Sequence, residues 1–118
     1  MRAAGLFALV AASLAQADGA SIAGIRLGEH KLQDVLLRFG NSPLRNGEVD
    51  ELCYRSESPL EPYWVIFGSG PQGHYETITQ IRVVFSPPAL TCPPSARLTP
   101  GLLTQSGIRA GKPVTLTR

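Results

Sequence analysis

At 118 residues, 43% of them hydrophobic, the chain has material for about one small domain with a modest core. Its formal net charge of +2 is too even a balance for bulk electrostatics to select a nucleic acid or an anionic membrane surface as partner.

The first element in chain order lies outside the fold. Arg2, the apolar run Ala3 to Leu14 and the triplet Ala15-Gln16-Ala17 form the charged region, hydrophobic region and small-residue cleavage site of an export signal. The run is shorter than the roughly 20 apolar residues a spanning helix needs. The expectation is a signal peptide over 1–17 and a mature chain from Asp18, periplasmic or secreted, with no transmembrane segment. No cysteine follows the cleavage site to carry a lipid anchor.

Next comes GIRLGEHKLQDVLLRFG, residues 24–40. Leu32, Val35, Leu36 and Phe39 recur at i, i+3, i+4 and i+7, which puts four apolar side chains on one helical face. Gly40 suits the C-cap and Pro43 prevents the helix from resuming. The N-cap is poorer, because His30 or Lys31 stands where Ser, Thr or Asp caps best.

After the turn-rich stretch 41–50 the period changes to two. Residues 51–56, 63–68 and 77–86 carry β-branched and aromatic side chains bounded by Gly, Pro or Ser, and are expected to be strands. Short connections make them antiparallel neighbours. In the third, Ile81, Val83 and Phe85 point one way and Gln80, Arg82 and Val84 the other. The segment from Pro87 to Pro100 holds five prolines and reads as a linker or an irregular wrap.

In an exported protein two cysteines are free to pair, so Cys53 and Cys92 are expected to form a disulfide. The chain-entropy model gives such a loop about 4 kcal/mol, which matters for a domain of this size. The catalytic inventory is thin. The two histidines, His30 and His74, have no acid or second ligand at metal or triad spacing, His74 with Glu76 being the best pair, and no GxSxG, phosphate-loop or HExxH pattern occurs. The expectation is therefore no enzyme, no metal and no cofactor.

An apolar position before Gly28, an amphipathic helix containing Val35, then Gly40 and Pro43 form a pattern that spans Ile22 to about Ser86. It resembles the start of the SmpA/OmlA outer-membrane assembly family and of the repeats in secreted β-lactamase inhibitor proteins. That resemblance implies a helical segment packed on a small antiparallel sheet. The helix is one residue longer than the family spacing, and two residues separate Gly40 from Pro43 where one is more usual. The missing lipid-attachment cysteine brings the chain nearer the inhibitor side. Those inhibitors carry two tandem copies, and Gly24-Ile25-Arg26 recurs here as Gly107-Ile108-Arg109. The second copy has no equivalent of LQDVLLRF, so the chain reads as one repeat followed by the stump of a truncated second.

The sequence thus predicts an α+β fold, with an N-terminal amphipathic helix on a three-stranded antiparallel sheet followed by an irregular tail. Its parts are the signal peptide (1–17), a repeat domain (18–92) and a proline-rich linker with a frayed stump (93–118). The function expected is an exported, non-enzymatic protein-binding module, inhibitor-like, that engages another exported or envelope protein and no nucleic acid. The alternative is a structural envelope scaffold resembling the assembly factors. Aromatic residues and arginine carry most interface energy, which selects Tyr54, Trp64, Tyr75 and Arg82 as partner-binding candidates.

N-terminal sequencing of protein recovered from an export-competent host is expected to begin at Asp18. An intact Met1, or a cut more than a few residues away, refutes the export signal.

Overall fold

The computed structural model describes residues 21–46, 49–70, 77–106, 108, 111 and 113–115. The expected signal peptide, His74, Tyr75, Glu76, Gly107 and Arg109 lie outside them. In chain order the elements are β1 (Ser21–Ile22), β2 (Ile25–Arg26), α1 (Leu32–Phe39), β3 (Asp50–Ser56), β4 (Trp64–Ser69), β5 (Ile78–Val84), β6 (Pro94–Ser95), α2 (Leu102–Ser106) and β7 (Val114–Thr115).

The chain enters through a hairpin. β1 and β2 pair antiparallel around Ala23-Gly24, whose φ angles of +51° and +88° both lie in the left-handed region, as a type I′ turn requires. Arg38 of α1 lies over this turn and donates from Nη1 to the carbonyl of Ala23 at 3.2 Å. A Cβ at residue 24 would displace that guanidinium, the far end of a flexible side chain, so it is the positive φ that favours glycine there.

α1 follows its apolar period, with Leu32, Val35 and Phe39 buried and Leu36 packed beside them. The weak N-cap is repaired from inside the helix, where the Asp34 carboxylate accepts the Lys31 N–H at 2.8 Å. Lysine is a donor only, so this half of a capping box has no reciprocal partner. At the other end Gly40, with φ +103°, donates its N–H to Leu36 at 2.9 Å and its carbonyl accepts the Tyr54 hydroxyl at 2.6 Å.

The inner face of the sheet meets this helix. Phe39 lies 5.2 Å from both Tyr54 and Phe67, centroid to centroid, and those two rings are 6.3 Å apart edge to face. Around them pack Leu52, Val65, Ile78, Ile81 and Val83 from the strands and Ile22, Ile25 and Leu27 from the hairpin side.

The expected architecture needs correction at three points. The helix is not N-terminal to the β-structure, because a hairpin precedes it and places Ile22 and Ile25 in the core. The sheet is five-stranded, in the order β6-β3-β4-β5-β7, so strand is the dominant element rather than a minor partner of the helix. The tail is not irregular: β6 runs parallel to β3 through Arg55 and Ser56, and β7 runs antiparallel to β5 through Gln80 and Ile81. Both added strands are two residues long, too short for any period to show, and they exist because β3 and β5 offer unpaired edges.

The tail is also tied by side chains. Tyr63 donates its hydroxyl to the Thr99 carbonyl at 2.9 Å, the Gly101 N–H donates to Glu61 Oε1 at 2.9 Å, and Leu98 and Ile108 are buried in the same core as Phe39. β5 ends at Val84, one residue before the expected alternation would bury Phe85, which is 61% exposed.

Phe39→Ala is expected to cost about 3–5 kcal/mol and Ile108→Ala about 2–5 kcal/mol in urea denaturation, the range for emptying a buried apolar site. A loss below about 0.5 kcal/mol for Ile108→Ala, the size of a surface substitution, would return the tail to the frayed state that its sequence suggests.

Candidate functional site

Strand alternation divides the sheet into two surfaces. Leu52 and Tyr54 look toward α1, so Glu51, Cys53 and Arg55 look away from it. The pairing register carries this outer face across the sheet in three rows: Arg55, Trp64, Val84; Cys53, Ile66, Arg82; and Glu51, Gly68, Gln80, Thr115. Val49 fills the space over Gly68, where a Cβ would stand 2.8 Å from its Cγ1.

The link from β5 to β6 has to traverse this face. β6 lies on the far side of β3, α1 occupies the inner face, and the disulfide between Cys53 and Cys92 fastens the end of the link to the outer one. Phe85, Ser86 and Pro88 wall a groove with Ile66, Arg82, Val84 and Gly111. Ala89, Leu90 and Thr91 wall a second with Cys53, Glu51 and residues 43–45. The link is thus a strap between two grooves. Pro87, Pro88 and Pro93 have no N–H to offer the sheet, and the backbone tie to β3 is the Arg55 N–H donating to the Pro93 carbonyl at 3.0 Å.

Charges on this face are few. Arg82 Nη2 stands 3.7 Å from Glu51 Oε2 across β4, too far for a hydrogen bond. Its Nε is buried and has no hydrogen-bond partner among the described residues. Arg55 is exposed beside Trp64.

Of the four partner-binding candidates, Trp64 and Arg82 fall on the outer face, each partly exposed and in adjacent rows. Tyr54 does not. It belongs to the inner face with Leu52 and is fully buried, its hydroxyl donating to Gly40, so no partner reaches it without unfolding α1. Tyr75 lies outside the described residues. His30 is occupied locally, its Nδ1 accepting the Arg26 N–H at 2.8 Å. Among the described residues no three His, Cys, Asp or Glu side chains come together as a metal site, and no helix is long and apolar enough to cross a membrane.

Ile66, Arg55 and the strap residues Phe85 and Pro88 were not singled out by the sequence. The usable signal was parity from Cys53: once that residue is taken to carry a disulfide away from the core, Glu51 and Arg55 must share its face. Ile66 and Arg82 join them only through the strand register.

Comparison with models of known protein families, with curated proteins and with solved structures found no match to this chain.

The two buried phenols supply a pH test of this division into faces. Burial pushes Tyr54 up to about 12, and burial together with the negative charge of Glu61 pushes Tyr63 up to about 12. The unfolded chain ionises near 10. Their contribution to stability is therefore complete below pH about 10 and is lost as pH rises from there through about 12. Tyrosinate absorbance is expected to show two tyrosines ionising late and together with loss of near-ultraviolet circular dichroism. Ionisation of both near pH 10 with the fold intact would place Tyr54 and Tyr63 at the surface.

Proposed function

We propose that this protein is an exported, non-enzymatic protein-binding module, inhibitor-like in its mode of action, that engages another exported or envelope protein through the outer face of its sheet. One observation carries the reading. The inner face is consumed by α1 and the hairpin, whereas the outer face presents Trp64 and Arg82 in adjacent rows, with Arg55 beside Trp64, next to an exposed Phe85. Tryptophan and arginine dominate interface energetics because each combines large buried area with a directional polar group. A rigid sheet also presents them with little ordering cost on binding.

The Cys53 to Cys92 bridge supports a periplasmic or secreted location, since disulfides form and persist in oxidising compartments. Its position supports the binding role as well. The strap leaves a groove on either side, so the outer face has relief for a partner to fill.

The test is capture from a periplasmic extract with the wild-type chain, with Trp64→Ala, and with Leu37→Ala as the control. Leu37 is 79% exposed on α1, remote from the outer face. A soluble exported hydrolase is expected to bind the wild type and Leu37→Ala, and to lose about 2 kcal/mol or more, roughly thirty-fold in Kd, with Trp64→Ala. Capture of outer-membrane β-barrel machinery instead would favour a scaffold resembling the assembly factors. Equal binding by folded Trp64→Ala would remove the outer face from the function.

A further inference from the structure

The groove between β5 and the strap contains the guanidinium of Arg82, whose Nε has no hydrogen-bond partner among the described residues and whose ion pair with Glu51 is too long for a hydrogen bond. We propose that it receives the carboxylate of an aspartate or glutamate on a partner protein, presented next to an apolar side chain of that partner. The proposal rests on the reading of the outer face as a protein-binding surface and names the chemistry it would recognise.

Arg82 is the cationic wall of the groove, and Ile66, Val84, Phe85 and Pro88 are its apolar walls. A guanidinium carries five N–H donors in a planar fork. Here the Glu51 carboxylate approaches only to 3.7 Å of Nη2, outside hydrogen-bond range, while Nε has no acceptor among the described residues. The internal pair therefore attracts without satisfying the fork. The Arg82 side chain is 37% exposed, so the outer end of the guanidinium is open to a second acceptor although Nε is covered. An incoming carboxylate would meet two N–H groups at once and complete the partnership that Glu51 leaves open.

The surroundings select the sign and the shape of that acceptor. The three rows of the outer face carry Arg55 and Arg82 against Glu51 alone. The balance is positive, which attracts an acidic segment and repels a basic one. The apolar walls lower the local dielectric, which strengthens an arginine-carboxylate pair relative to water. They also leave Phe85 needing cover, which an apolar residue beside the acid would provide.

The experiment is an NMR titration of the oxidised full chain, labelled at arginine Nε and at isoleucine and valine methyls, with the blocked peptide acetyl-Leu-Glu-Leu-amide. Acetyl-Leu-Gln-Leu-amide and sodium acetate are titrated in parallel. The expected result is that the glutamate peptide moves the Arg82 Nε–H signal together with the Ile66 and Val84 methyls at millimolar peptide, at least about ten-fold more tightly than the glutamine peptide, and more weakly as salt is raised. Arg82→Gln should lose that preference while the Ile81 and Val83 methyls, on the inner face, keep their positions. Equal shifts from both peptides overturn the carboxylate, equal affinity for acetate overturns the apolar flank, and no shift at Arg82 overturns the site. The peptide comparison on the wild type decides the matter if Arg82→Gln does not fold. Should the peptides fail while Trp64→Ala still abolishes capture, the inference falls and the binding-module reading stands. Capture indifferent to Trp64 would instead remove that reading.

Discussion

The bond between Cys53 and Cys92 decides what the outer face can be. A chain leaving β5 must pass β4 and β3 before it can add β6 beyond them, and it makes this passage in residues 85–93, rich in proline, that contribute no ladder. In a helical crossover the link would bury an amphipathic face on the sheet. Here a covalent tie to the middle of β3 takes the place of that packing and holds the strap against the surface. The same bond also reduces the entropy of the unfolded chain. The strap's path, and therefore the two grooves beside it, follow from where on β3 the cysteine stands.

The inner face obeys a different logic. Three aromatic rings, Phe39, Tyr54 and Phe67, bring α1, β3 and β4 to one point, and the Tyr54 hydroxyl satisfies the Gly40 carbonyl just where the helix runs out of internal partners. Tyr63 repeats the device at the other end of the β3 to β4 connection, satisfying the Thr99 carbonyl. Both phenols are polar tips on apolar bodies, placed where an irregular segment has a carbonyl to be satisfied. A tyrosine used in this way is unavailable as a binding residue, which is why Tyr54 and Trp64, both attractive on composition alone, have opposite fates.

The outer face gains its character from incomplete pairing. Glu51 and Arg82 lie on strands separated by β4, and the span leaves the pair at 3.7 Å, with a buried Nε that has no hydrogen-bond partner among the described residues. A fully satisfied pair in that position would make the surface inert. As it stands, an apolar groove, a half-used guanidinium and an exposed aromatic lie together beside a rigid strap, and the proposed carboxylate recognition is the consequence of that shortage.

Local information determined the elements whose signal is periodic or chemical. The spacing of Leu32, Val35, Leu36 and Phe39 marked α1, the period of two and the residue types marked β3 to β5, their short connections marked the antiparallel pairing, and the cysteines marked the disulfide, because each property is carried by neighbours in the chain or by chemistry with one available partner. Of the outer face, Trp64 and Arg82 were legible by residue type, but which side of the sheet they occupy was not. Tertiary structure alone decided three further things. The Ala23-Gly24 hairpin was hidden because its strands are two residues long, and the arginine that lies over its turn arrives from residue 38. β6 was hidden because Pro94-Ser95 carries no strand signal, and β7 because the alternation around the β-branched Val114-Thr115 does not say which strand it would join; both pair because β3 and β5 present free edges. The burial of Tyr54 beside the exposure of Phe85 was hidden because a strand's two faces are equivalent until register and strand end are set by long-range pairing, and a shift of one residue exchanges them.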